Sequence, residues 1–187
     1  MGWEMLWSRV LEHLMAGLVL GFSILLAINL VALAVGARIT AKRADRVERP
    51  AAVAAAMLAV TAVVVALPIA LLPWAVGAVE RVVPADPALL RVGPSAVWAK
   101  ALLYALWLEV PACLLMGAAF PFVAAAAVRA HDAGRSSGRL YAWNTLAGVL
   151  GAIATAFVLI PRLGLWGAVL ALSLVAAVTA AAVSLRT

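Results

Sequence analysis

The chain has 187 residues, 67% of them hydrophobic and only 12% charged, with a mean hydropathy of +1.14 and a formal charge of +6. A soluble domain is nearer half apolar and a quarter charged, so this composition excludes a water-facing globule. The basic residues sit in short segments between apolar runs, where membrane topology accounts for them better than phosphate binding, and nucleic acid is excluded as a partner.

Met1 to Leu14 places Trp3, Leu6, Trp7, Val10 and Leu14 on roughly one helical face. Tryptophan beside charge at this position predicts an interfacial amphipathic helix over residues 1–13, lying at the outer surface. Glu4, Arg9 and Glu12 deny it the positive n-region of a secretory signal, so the segment is expected to be retained.

Five apolar runs follow, and runs above about 18 residues are long enough to span a hydrocarbon core of roughly 30 Å. They cover residues 14–37, 51–76, 95–128, 140–160 and 165–185. The second carries Pro68 and Pro73, which predict a kink toward its outer end, and the third is overlong and interrupted by Pro111 and Pro121. The Pro-rich stretch Val83 to Pro94 reads as an external loop. The single cysteine, Cys113, lies inside the third run, so no disulfide or metal framework is possible within one chain.

The loops carry the orientation. Arg38, Lys42, Arg43, Arg46 and Arg49 crowd the first, Arg129, Arg135 and Arg139 the third, and Arg186 follows the last run. If the runs alternate across the bilayer, nine of fourteen basic residues fall on one side. That side is expected to be cytoplasmic, with the N-terminus outside, the C-terminus inside, and an inner (cytoplasmic) membrane location. Trp74, Trp98, Trp143 and Trp166 fall near run ends, where indole rings favour headgroups, while Trp107 lies deeper.

Three stretches resemble one family. Trp3-Glu4-Met5-Leu6-Trp7-Ser8-Arg9 is similar to the aromatic-Glu-x-x-Trp-x-Arg signature of the membrane-embedded spermidine synthase-like proteins, with Glu4, Trp7 and Arg9 at the matching positions. Leu115-Met116-Gly117-Ala118-Ala119-Phe120-Pro121 resembles that family's Leu-Met-Gly-Ala-Thr-Phe-Pro segment, through Gly117 and Pro121. Gly138-Arg139-Leu140-Tyr141-Ala142-Trp143-Asn144-Thr145 resembles its Gly-Arg-Leu-Tyr-Ala-x-Asn-Thr helix, and Pro161 to Gly164 its Pro-x-Leu-Gly turn. Ala44-Asp45-Arg46 also resembles the core of a loop motif of major facilitator transporters.

The resemblance implies part of a major-facilitator-like helical half, a fold that in the family is often fused to a soluble aminopropyltransferase domain. The family's first span begins well before the Glu-x-x-Trp-x-Arg segment, so residues 1–14 read as the remnant of a truncated span. No strand-turn-helix unit or glycine-rich loop follows the last run, and no catalytic residue can be carried over.

Glu109 is the sharpest candidate for chemistry. A charge at mid-membrane costs about 2.5–3.5 kcal/mol on insertion scales, so such a residue faces a partner or a water-filled cavity. Pro111 removes one helical hydrogen bond beside it and opens a polar notch. Glu109 reads as a proton or cation site, as an ionic contact with another subunit, or as a protonated or hydrogen-bonded carboxyl paired with Asn29 or Asn144. Asn29 and Asn144 read as interhelical glue. Gly17 and Gly21 form a G-x-x-x-G pair, and Gly148 with Gly151, Ala152 and Ala156 a small-residue face, both suited to close helix contact. His13 and His131 could ligate a haem or chlorophyll-type metal, but no second ligand lies at suitable spacing, and no metal or cofactor is expected beyond lipid.

The expectation is an all-α integral membrane protein and a single transmembrane domain, acting as a non-catalytic accessory or scaffold subunit that packs against other membrane-protein subunits. Two alternatives stand beside it. One is a transporter-like component working as a homodimer with Glu109 as the coupling site. The other is a membrane anchor for a separately encoded aminopropyltransferase-like enzyme.

Overall fold

In lipid every backbone N–H and C=O must be satisfied within its own segment or a closed sheet, so long alanine, valine and leucine runs resolve as helix. The computed structural model describes residues 2–14, 19–83, 95–130 and 133–185, and every regular element among them is helical. The helices are α1 (Gly2–Leu14), α2 (Val19–Ala44), α3 (Pro50–Ala70), α4 (Leu72–Val82), α5 (Ser95–Ala130), α6 (Ala133–Ala154) and α7 (Ile160–Ser184), with a π-helical turn, Thr155–Leu159, joining the last two. Among the described residues, four helical stretches are long and apolar enough to cross a membrane: Ser23–Ala44, Pro50–Ala70, Trp98–Arg129 and Gly138–Ser184.

The last of these is 47 residues long, about 70 Å if straight and far more than a bilayer needs. It is not straight. A Cβ built on Gly2 would stand 2.9 Å from Thr155 Oγ1 and 3.4 Å from Leu172 Cδ1. Those two residues would lie roughly 25 Å apart in a continuous helix, so the chain folds back between them. The reversal is at Gly164, whose φ of 68° and ψ of −178° belong to a region open essentially to glycine alone.

Two expected boundaries move. Residues 51–76 do not form one helix: α3 ends at Ala70, Leu71 turns out of helical geometry, and α4 restarts with Pro73 in its first turn. Pro73 lacks the N–H that would bond back to Ile69 across the break, while Pro68 removes a hydrogen bond from the last turns of α3. In contrast α5 continues through both Pro111 and Pro121 for 36 residues. The first long helix runs on to Ala44, seven residues past the apolar run, carrying Arg38, Lys42 and Arg43 with it.

The core is built on α2 and α5. These run parallel: Val31 and Val110 line one groove, Thr40 donates to the Ala118 carbonyl at 2.8 Å, and Arg129 donates to the Val47 carbonyl at 2.7 Å. Glycines set their closest approach. A Cβ on Gly36 would collide with the Leu114 carbonyl, and one on Gly117 with the Leu33 backbone. Arg129 also reaches the carbonyls of Glu48 at 2.9 Å and Asp45 at 3.2 Å, so one guanidinium fork gathers the whole α2–α3 connection. This residue, expected only to mark topology, is also a structural clamp.

The amphipathic helix is placed differently from expectation. Its apolar face is covered by protein: Leu6, Trp7, Val10 and Leu11 are all buried, and α1 packs against α2, α5, α6, the π-helical turn and α7. The hydrophobic stripe requires only that the face be covered, and here the bundle covers it. Trp74, Trp98, Trp143 and Trp166 are exposed, whereas Trp107 donates to the Pro68 carbonyl at 3.3 Å and packs against Trp74 at a tilt of 46°, with ring centroids 5.7 Å apart.

Candidate functional site: a buried carboxylate level with Asn29

α1 inserts one acidic residue into the bundle. Glu4 lies in its first turn, one turn ahead of fully buried Trp7, and accepts a hydrogen bond of 2.7 Å from Asn29 Nδ2. Asn29 is only 3% exposed, so this amide is part of the packed interior. The parallel register of α2 and α5 then fixes what lies beside it. Thr40 meets a residue 78 positions on and Val47 one 82 positions on, which puts Asn29 level with residues 107–111.

Glu109 is at the centre of that range and is 1% exposed. Its Oε2 has no hydrogen-bond partner among the described residues. Glu4 lies within electrostatic reach of Glu109, and both carboxylates lie within reach of the buried Cys113 thiol, one helical turn beyond Glu109 on α5. The surroundings are apolar, with Leu6, Val10, Leu25, Ala105, Leu108 and Ala112 in the same packed cluster. Three further polar atoms, Trp7 Nε1, Thr155 Oγ1 and Ser173 Oγ, are buried without a partner among the described residues.

The expected pairing of Glu109 with Asn29 or Asn144 is therefore redistributed. Asn29 engages Glu4, from a helix 25 residues earlier, while Asn144 is exposed on α6 and makes no side-chain hydrogen bond among the described residues. Of the motif residues, Glu4, Trp7 and Gly117 enter the core. Arg9 pairs with Glu12 at 3.2 Å on the surface, Pro121 is half-buried within α5, and Gly138 and Arg139 are exposed. Tyr141 is exposed apart from Phe120, whose ring centroid lies 6.2 Å from its own.

The small-residue face of α6 packs inside the chain. A Cβ on Gly151 would lie 3.8 Å from the Gly2 nitrogen, and Gly148 and Ala152 are half-buried along the same helix. Gly17 and His131 lie outside the described residues, as do the side chains of Gly21 and His13. No group of three metal-ligating side chains occurs among the described residues.

Gly36 gives no packing signal in the sequence because its partners, Leu114 and Ala118, are on another helix and make no local pattern with it. The sequence marks Glu4 only as a motif residue, since 25 residues separate it from the Asn29 amide that holds it beside the Glu109 site. Comparison with protein families, curated proteins and solved structures finds no match to this chain.

Proposed function

We propose that this chain is a non-catalytic scaffold or accessory subunit of a membrane complex. In this reading it crosses an inner membrane five times, with the N-terminus outside and the C-terminus in the cytoplasm. The reversal at Gly164 supports counting the last long stretch as two crossings, and the concentration of arginine at one end of α2 and beyond α5 supports the orientation.

One observation carries the scaffold reading. Residues 141–147, two full turns of α6, are exposed on every side, although the helix belongs to an apolar stretch. They include the Asn144 amide and the Thr145 hydroxyl among Tyr141, Trp143 and Leu146. At 1.5 Å per residue, Asn144 lies roughly 6 Å inside a crossing that begins at Leu140. There an amide gains from a hydrogen bond to another helix by roughly 0.6–2 kcal/mol, and none is supplied among the described residues. The occupant that fits is a transmembrane helix of a different protein, with a polar group opposite Asn144.

Gentle detergent extraction and native mass spectrometry test this. The expected result is a hetero-complex that weakens severalfold in Asn144→Leu, while thermal unfolding of the isolated chain is unchanged. Recovery solely as a monomer or homodimer, in both forms, would end the proposal.

A further inference from the structure

A carboxylate inside an apolar bundle is neutralised by a counter-ion or by a proton. Glu109 is 1% exposed and one of its oxygens accepts nothing among the described residues, while Asn29 holds a second carboxylate, Glu4, at the same level. We propose that Glu109, positioned beside the Asn29–Glu4 pair, is a proton-binding site in the interior of the bundle.

The basic side chains of the packed elements stand away from Glu109, and the amino terminus, which does reach it electrostatically, acts there less strongly than the like charge of Glu4, so a proton is the fitting ligand. α3 carries no charged residue at all. On α2, Arg38, Lys42 and Arg43 are exposed toward its far end, and on α1 Arg9 is held by Glu12 at the surface. Glu80 and Arg81 of α4, Arg139 of α6 and Arg162 of α7 are also exposed. On α5 itself, Lys100 and Arg129 stand nine and twenty residues from Glu109, roughly 13 and 30 Å along the helix. Tyr104 and Cys113 are the other titratable groups on the buried part of α5, and neither is a cation.

A metal ion fits less well. Glu4, Glu109 and Cys113 do not form a metal-holding group, and Asn29 turns an N–H donor, which repels a cation, toward the carboxylate. The acid–base step is simple. The Glu109 carboxylate takes one proton from solvent and becomes a carboxylic acid, whose O–H can donate to a neighbouring oxygen; loss of that proton restores the carboxylate.

Labelling by dicyclohexylcarbodiimide tests the site on the full chain in phosphatidylcholine vesicles, with no partner protein needed. The acid O–H adds across a C=N bond of the reagent, and the O-acylisourea rearranges to a stable N-acylurea detected on the peptide by mass spectrometry. Glu109 should label in preference to the exposed Glu48 and Glu80, falling about tenfold per pH unit above a midpoint. Glu4→Gln should move that midpoint, and Glu12→Gln, on the exposed face, should not.

Equal labelling of all three glutamates, labelling indifferent to pH, or a midpoint unmoved by Glu4→Gln would each overturn the proposal. Suppression by sodium or potassium at constant pH would assign the site to a metal cation and overturn it as well. The wild-type profile alone reads the site, so a Glu109→Gln chain that failed to fold would not rescue the proposal. Because the readout needs no complex, it fails or succeeds independently of the scaffold reading.

Discussion

α5 and α6 are both long helices of apolar stretches, yet they meet opposite surroundings. α5 is the more enclosed by its own chain: α2 lies along it through Gly36 and Gly117, α3 packs on a second side, and α1 closes over it with Trp7, while Leu102, Leu106 and Val123 on its remaining side stay exposed. α6 is covered along its small-residue side, around Gly151, while residues 141–147 are bare. Hydropathy does not distinguish the two, since in a membrane an apolar side chain is equally at home against lipid or protein. The difference comes from where small residues and polar groups fall. Glycine lets backbones touch, and a buried amide or carboxylate fastens what has come together.

If that account of the enclosed region is right, its largest single contribution comes from α1. Trp7 is 1% exposed and sits among Leu6, Val10 and Leu11 in the main packed cluster. Trp7→Ala removes a large buried ring and leaves a cavity, a change that costs about 3–5 kcal/mol. Thermal unfolding in detergent should show a large drop in midpoint. A midpoint within error of the parent would mean that α1 rests on the bundle without closing it, and the contrast between α5 and α6 would weaken.

Much of this arrangement was legible in the sequence, and what was not has identifiable physical reasons. Hydropathy located every long helix, because lipid imposes helix on any apolar run that spans it. It did not place α1, because the stripe of Trp3, Leu6, Trp7 and Val10 suits a lipid surface or a protein surface equally. Glu109 was recognisable as a buried charge from its neighbours alone. Its companions were not, since the Glu4–Asn29 hydrogen bond depends on how a short helix enters the bundle. The break at Leu71 was announced by Pro68 and Pro73, while Pro111 and Pro121 announced one that α5 does not make. The difference is one of support: α5 is packed against α2 and α3 along its length, and neighbouring helices hold it through the missing hydrogen bonds.

The sharpest form of the comparison uses one substitution in both regions. Gly117 and Gly138 both belong to stretches read as motifs, and glycine to alanine adds a single methyl group at either. At Gly117 that carbon would run into the Leu33 backbone, which cannot rotate away as a side chain could, so α2 and α5 must separate. Overpacking of this kind costs about 1–3 kcal/mol. At Gly138 no atom outside its own helix neighbourhood lies within 4 Å, so the methyl meets open space. Alanine is also the better helix former, by roughly 0.8–1 kcal/mol in a helix interior. Gly117→Ala should lower the unfolding midpoint of the isolated chain, and Gly138→Ala should leave it unchanged or raise it slightly. Equal losses at both positions would show that α6 is enclosed at its start as α5 is, and would remove the open surface on which the scaffold reading depends. A loss at Gly138 seen only in the assembled complex would instead place a partner against that turn, because the methyl would then be meeting a neighbour the isolated chain does not have.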